Sequence, residues 1–316
     1  MKFSFTFPGQ GSQSVGMMQV YDGLPEIEAT FAQASEVLGE NLWRMVEQGP
    51  AELLSDTTRT QPIMLTAGIA LYRAWVARSG PLPTLTAGHS LGEYTALVAA
   101  GALDFKEAVS LVRFRAMCMQ EAVPAGTGAI AAILGLDDDT VRAVCAQACH
   151  GDEVVEAANY NSPAQVVIAG SRVAVERAME LAKSTGAKRA VLLPMSVPSH
   201  CSLMRPVAKK LRVRLDDINL RLPSIPVLHN SSVGVAHDLA TMKESMLSQL
   251  SSPVRWVEIV KSMVKLGCAA VIECGPGKVL QGLNKRIASE VTHMSLGDAD
   301  TFEAALAIAK QGLGQR

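Results

Sequence analysis

Gly88-His89-Ser90-Leu91-Gly92 lies between an apolar run, Thr84-Leu85-Thr86-Ala87, and the stretch Glu93-Tyr94-Thr95-Ala96-Leu97-Val98-Ala99-Ala100, after which Gly101 follows. The first flank reads as a strand and the second as a helix stopped by glycine. Strand, sharp turn and helix are the setting that a G-x-S-x-G elbow requires. The serine there takes a strained backbone conformation, and side chains two positions to either side would collide. Ser90 then stands at a helix N-terminus, where free N–H groups and the helix dipole favour developing negative charge. The pattern makes Ser90 a candidate nucleophile. The same residues also fit an ordinary strand-to-helix turn that happens to contain serine, so the rest of the chain has to decide.

The chain has 316 residues, of which 48% are hydrophobic and 19% charged, enough for a sizeable core in one large domain or a large domain carrying a smaller one. A formal net charge of −1 and an aromatic content of 4% give no footprint for nucleic acid or an anionic membrane. The opening Met1-Lys2-Phe3-Ser4-Phe5-Thr6-Phe7 alternates like a strand and is cut by Pro8-Gly9 too early for a signal peptide. No stretch approaches the ~18 uninterrupted apolar residues of a spanning helix, so a cytoplasmic protein is expected. The six cysteines form no C-x-x-C pair, and Cys145, Cys149 and His150 lack a second cluster to complete a zinc site. Free or buried thiols and no metal are expected.

Outward from the elbow, the pattern predicts an α/β fold. Lys2–Phe7 reads as a strand, with helices over 26–38, 62–78 and 106–122, the second carrying Pro62 in its first turn. Strands at 129–136, 154–160, 165–169 and 189–193, with helices at 138–149 and 173–184, then give β-α-β-β-α-β, the ferredoxin-like order. This looks like an insert over 126–196, dividing a larger unit into 1–125 and 197–316. In the last part, strands at 226–230, 269–274 and 292–296 alternate with helices at 241–250, 253–266, 278–288 and 301–311. Apolar strands separated by helices predict a mainly parallel sheet covered on both faces.

Four segments bear on what Ser90 does. Phe7-Pro8-Gly9-Gln10-Gly11-Ser12-Gln13 is a tight loop after the first strand, at the same carboxyl edge as the elbow. There Gln10 could present its backbone N–H beside that of Leu91 as a two-donor oxyanion hole, each donor worth roughly 2.7–4 kcal/mol in the transition state. It does not fit a dinucleotide loop, which needs a third glycine where Ser14 stands, and Gly275-Pro276-Gly277-Lys278 is not a Walker A loop, because Val279 replaces Ser or Thr. Arg113 and Arg115 sit two positions apart on a helix that is apolar nearly all round, so they point to different sides. One can snorkel to solvent or pair with a carboxylate such as Glu107 or Glu121; the other needs an anion inside the structure, and for Arg115 that is either a structural partner or a substrate carboxylate gripped bidentately. Ser196-Val197-Pro198-Ser199-His200-Cys201 offers His200 as a general base. His89 points away from Ser90 on the turn, and His150, His229, His237 and His293 lie in less motif-like settings. A base needs a third group to orient it; Glu273 and Asp238 are available, and no local motif singles out either one.

Taken together, FPGQGSQ (7–13), TQP (60–62), GHSLGEY (88–94), RxxxMQEAVP (115–124), NSPxQVVIAG (161–170), SVPSHC (196–201), LxxPVxW (250–256) and ExGPGKVLxGLxKRI (273–287) resemble the bacterial malonyl-CoA:acyl carrier protein transacylases, in the family's order and over almost the whole chain. The resemblance implies an α/β-hydrolase-like core with a ferredoxin-like subdomain and a cleft between them. It implies Ser90 as nucleophile, His200 as base, Gln10 and Leu91 as the oxyanion pair, and Arg115 as the group that binds the malonyl carboxylate. In place of an acidic triad member it implies the backbone carbonyl of Gln249. Lys188 and Arg189 resemble a stretch near the coenzyme phosphates. Lys285 and Arg286 are candidates for meeting an acidic carrier protein. Implied partners are malonyl-CoA and holo acyl carrier protein, and a monomer without a permanently bound cofactor is expected. A trans-acting polyketide acyltransferase, a serine thioesterase or hydrolase, and a silent carrier-binding scaffold are the alternatives.

Overall fold

The structure, a computed structural model, describes residues 2–21, 23–124, 126–194 and 197–311. Ala125 and Ser196, on which the expected boundaries of the insert fall, lie outside the described residues.

The chain enters through β1 (Phe3–Phe7), then α1 (Pro25–Leu38), α2 (Leu42–Gln48), α3 (Ala51–Ser55) and α4 (Thr57–Ala77). The elbow joins β2 (Leu85–Gly88) to α5 (Gly92–Ala99), and α6 (Phe105–Ala122) follows. Next come β3 (Gly128–Leu134), α7 (Asp138–Ala148), β4 (Val155–Ser162), β5 (Gln165–Ser171), α8 (Arg172–Ser184) and β6 (Arg189–Leu192). The return comprises α9 (Arg205–Asp216), β7 (Val227–Leu228), α10 (Leu239–Ser248), α11 (Trp256–Lys265), β8 (Ala270–Glu273), α12 (Val279–Ile287), β9 (Thr292–Ser295) and α13 (Ala299–Gln311).

Two sheets result. One is parallel throughout, in the order β7-β2-β1-β8-β9. The other is antiparallel, β4-β5-β3-β6, the ferredoxin-like arrangement expected from its element order. They meet where β4 pairs with the chain before α11: Val254 N donates to Ala158 O at 2.9 Å, and Tyr160 N donates to Val254 O at 2.9 Å.

β1 is central and buried at every residue, so the Phe-Ser-Phe-Thr-Phe alternation does not mark a wet face. Phe5 packs edge-on against Trp75 on one side; on the other, Ser4 Oγ donates to Met263 Sδ and Thr6 Oγ1 to Ile272 O. Small hydroxyls are tolerated there because each finds an acceptor.

α4 begins five residues before the expected start, with Asp56 capping Thr58 N at 2.9 Å and Pro62 inside the helix. A proline leaves the carbonyl four residues earlier without its donor. That carbonyl, Thr58 O, accepts from Arg113 Nη1 at 3.0 Å. The same guanidinium pairs with Glu40 at 2.5 Å rather than with Glu107 or Glu121. β7 is also shorter than expected, because the chain leaves the ladder after Leu228 so that Asn230 can turn toward the elbow.

Candidate active site

The carboxyl ends of β1 and β2 lie side by side, with Phe7 paired to Gly88. The elbow beyond β2 is as tight as its glycines suggest. A Cβ on Gly88 would sit 1.8 Å from Gly92 C, and one on Gly92 would sit 2.0 Å from Phe7 O. Ser90 itself has φ +52°, in the left-handed region that costs a side chain about 1 kcal/mol or more. Asn230 secures the strained turn from both ends: its Nδ2 donates to Gly88 O at 2.7 Å and its Oδ1 accepts from Ser90 N at 2.8 Å.

His200 arrives from the loop after β6, also at positive φ (+62°), with its N–H donating to Leu250 O at 3.0 Å. Its ring lies between two oxygens. Nδ1 is 2.8 Å from Gln249 O and Nε2 is 2.7 Å from Ser90 Oγ. A carbonyl can only accept, so Nδ1 carries the proton and Nε2 presents its lone pair to the serine hydroxyl. Burial and, next, the charge of Arg115 lower the imidazole's pKa from 6.5 to about 3, so it is neutral at pH 7. Neither acidic candidate takes the orienting place. Asp238 caps α10 through Thr241 N, and Glu273 accepts from Gln281 N at the start of α12.

Arg115 reaches the same cavity from α6, 1% exposed. Nη1 donates to Gln61 Oε1 at 2.7 Å and Nη2 to Gln249 Oε1 at 3.1 Å; Nε is buried without a partner among the described residues. The guanidinium carbon lies 5.4 Å from the Tyr94 ring centroid. No carboxylate among the described residues pairs with it. Desolvation, partly offset by neighbouring groups, lowers its pKa, yet an arginine remains charged. A buried cation held by neutral amides has the chemistry to take an anion.

The cavity between the sheets is about 150 Å³ and is lined by Gln10, Ser90, Leu91, Arg115, Asn161 and His200 among others. The backbone N–H groups of Gln10 and Leu91 donate to no acceptor among the described residues. His89, beside the serine in sequence, points elsewhere: Nε2 lies 2.8 Å from Asn161 Oδ1 and its ring meets Trp256 edge-on. Lys188 and Arg189 are exposed, Arg189 on the edge strand β6. Lys285 and Arg286 are exposed in the last turn of α12, where Arg286 donates to Gln165 Oε1.

Three site residues were not singled out by the sequence reading. Gln61 links Arg115 to Thr57, whose hydroxyl donates to Gln10 Oε1 at 3.0 Å. Glu93 and Asn230 brace the elbow from behind. Glu93 and Gln61 fall within the GHSLGEY and TQP motifs, so the motifs marked them although no chemistry did.

The fold is that of an acyltransferase. Residues 4–300 match the acyl transferase domain family. The chain is 50% identical over 306 residues to the malonyl CoA-acyl carrier protein transacylase of Escherichia coli K12, covering 96% of this chain and 99% of that one. It resembles the acyl-carrier-protein S-malonyltransferase structure from Burkholderia pseudomallei at 52% identity and TM-score 0.95, covering 97% and 100% of the two chains. A malonyl-transacylase solved with a type II polyketide synthase acyl-carrier protein matches at 46% identity and TM-score 0.96, over 98% and 100%. The chain therefore belongs to the acyl transferase domain family, among the bacterial malonyl-CoA:acyl carrier protein transacylases that its motifs resemble.

Proposed function

We propose that this chain transfers malonyl from malonyl-CoA to the phosphopantetheine thiol of acyl carrier protein, through a malonyl ester on Ser90, to supply fatty acid elongation. One observation carries the reading: the Ser90–His200–Gln249 relay shares its cavity with a buried arginine that has no anionic partner among the described residues. The malonyl carboxylate fits Arg115, which places the thioester carbonyl near Ser90. His200 Nε2 takes the hydroxyl proton as Oγ attacks, and the backbone N–H groups of Gln10 and Leu91 receive the oxyanion. The C–S bond breaks, and His200 returns the proton to the departing coenzyme A sulfur. The carrier's thiol then gives its proton to His200 and attacks the ester, and Ser90 leaves as the hydroxyl with that proton.

In this reading Lys188 and Arg189 meet the coenzyme phosphates, and Lys285 and Arg286 meet the acidic carrier. Residues 126–196 form the small subdomain, inserted between 1–125 and 197–316. The protein works as a cytoplasmic monomer with no resident cofactor and no affinity for nucleic acid or membrane. Among the described residues, no helix is long and apolar enough to cross a membrane. Because one close structural match was solved with a polyketide carrier, a polyketide acyl carrier protein is the second candidate acceptor.

Intact mass spectrometry tests the reading after brief exposure to malonyl-CoA and then to holo acyl carrier protein. One malonyl adduct on the wild type, none on Ser90→Ala, and discharge onto the carrier are expected. Loss of the adduct to water with the carrier unmodified would make the protein a hydrolase. No adduct on the wild type would leave a carrier-binding scaffold.

A further inference from the structure

Gln249 touches each part of the site with a different atom. Its backbone oxygen accepts from His200 Nδ1, its Oε1 accepts from Arg115 Nη2, and its Nε2 donates to Ser90 O at 2.9 Å. The amide can do this in one orientation only. Turned over, it would set its NH2 against the guanidinium and its oxygen against the Ser90 carbonyl, two mispaired contacts in a dry site. What holds the amide is behind it. Nε2 also donates to Glu93 Oε2 at 3.0 Å, and Glu93 is completely buried in the first turn of α5. That carboxylate is anchored in turn by Asn230 N at 2.8 Å on Oε2 and by His229 Nδ1 at 2.7 Å on Oε1. Among the described residues its side-chain hydrogen bonds go to Gln249, Asn230 and His229, and Glu93 is not part of the cavity lining.

Resting on the roles given above to His200 and Arg115, we propose that Glu93 is a positioning residue: by accepting from the Gln249 amide it fixes that amide's orientation, and so holds the guanidinium that takes the malonyl carboxylate in register with the histidine that takes the serine proton. Glu93 is one of the few fully buried carboxylates of the chain, and its place three residues after Ser90 binds the strained elbow and the specificity arginine to the same anchor. Without it, Nε2 keeps Ser90 O at 2.9 Å and a long contact to Asn230 Oδ1 at 3.5 Å, and the hold that presents Oε1 to Nη2 is weakened. Malonyl transfer then suffers more than acetyl transfer, because only malonyl depends on the guanidinium.

The test compares Glu93→Met, which has no acceptor, with Glu93→Gln, whose amide oxygen still accepts from Gln249 and Asn230 while its NH2 meets His229 as the other tautomer. Rates of acyl-enzyme formation from malonyl-CoA and acetyl-CoA are read by quenching and intact mass, with thermal unfolding as the control for folding. Glu93→Met is expected to lower the malonyl-to-acetyl rate ratio about tenfold or more, the effect of one lost hydrogen bond to a charged group. Glu93→Gln is expected to stay within about threefold of the wild type. A merely structural role would lower both rates equally and leave the ratio where it was. An unchanged ratio in folded Glu93→Met would overturn the proposal, as would a Glu93→Gln enzyme impaired as severely as Glu93→Met. Should Glu93→Met fail to fold, Glu93→Asp serves instead: it keeps the charge but withdraws it from Gln249, and an unchanged ratio there overturns the proposal equally. Arg115→Ala, measured beside them, separates the two levels. If it too leaves the ratio unchanged, the carboxylate role of Arg115 is wrong; if it collapses the ratio while Glu93→Met does not, only the positioning role is.

Discussion

The two sides of the 150 Å³ cavity follow opposite rules. On the Ser90 side everything is over-determined. Two glycines admit no Cβ, Asn230 clamps the elbow at both ends, and His200 is fixed between two oxygens. On the Arg115 side a full positive charge is buried on the oxygens of two neutral amides, with Nε unpartnered among the described residues. Strain can be stored where reacting atoms must not wander. A recognition group gains from being left short of partners, because the ligand then supplies what the protein withholds. Geometry is built in on one side of the cavity; on the other, the proposed carboxylate site, a charge is left to be completed.

The largest test of that contrast is Arg115→Ala. If the guanidinium makes charge-assisted bonds to malonyl at roughly 1.5–3 kcal/mol each, the preference over acetyl should fall by about 10²- to 10⁴-fold. Acetyl transfer should continue, because the Ser90 side is untouched. Arg115→Lys should recover little, since a shorter point charge cannot be held by Gln61 and Gln249 together. Paired acyl-enzyme rates from the two thioesters decide it; equal losses on both would merge the two sides into one structural unit.

A smaller effect couples the sides through charge. Arg115 is, after burial, the main reason the His200 pKa lies near 3. In the free enzyme the base is therefore neutral throughout ordinary buffers, and the acid limb of kcat/KM should lie well below pH 6.5. A malonyl carboxylate on Arg115 cancels that charge, so the limb of kcat should shift upward with malonyl-CoA but not with acetyl-CoA. Stability follows the same sign. The unfolded histidine binds a proton that the folded one refuses between about pH 3 and 6.5, so His200 destabilises the fold increasingly as pH falls through that window. Rate profiles from pH 4 to 8 with both substrates check it; a kcat/KM limb near 6.5 would place His200 in water rather than under the arginine.

The elbow could be read from sequence because its signal is local: two glycines around a serine, with a strand before and a helix after. The ferredoxin-like unit could be read for the same reason, since its six elements are consecutive. What escaped depends on distant pairs. The start of α4 was misplaced because Pro62 looks like a first-turn proline, and only Arg113, 51 positions on, supplies the donor that lets it sit inside. α9 went unread although Val207, Leu211 and Leu215 repeat every four residues, because the basic residues between them hide a buried stripe. Gln61 and Glu93 lie in motifs but act through Arg115 and Gln249, 54 and 156 positions away. Periodicity reports which face is buried and says nothing of which buried amide meets which charge.

Glu273 gives the smallest and cleanest test of the contrast. Like Arg115 it is fully buried and keeps one atom, Oε1, without a partner among the described residues; unlike Arg115 it lines none of the site's cavity. A ligand can complete Arg115. Glu273 is met on its other oxygen by the Gln281 N–H, with the Leu280 N–H also lowering its pKa, yet burial outweighs both and pushes the pKa from 4.5 up to about 7. The folded state thus holds a proton that the unfolded chain releases above pH 4.5, so stability falls as pH rises from about 4.5 to 7 and is then level. Glu273→Gln keeps the acceptor for Gln281 and removes the titration, at the cost of one unpaired amide donor. It should therefore be more stable than the wild type by about 1 kcal/mol at pH 8 and lose that advantage near pH 5, with malonyl transfer unchanged. Thermal unfolding of both proteins across pH 5–8 measures it. A stability difference that does not vary with pH would mean that the carboxylate has a donor there after all, and that only the site leaves its buried charges incomplete.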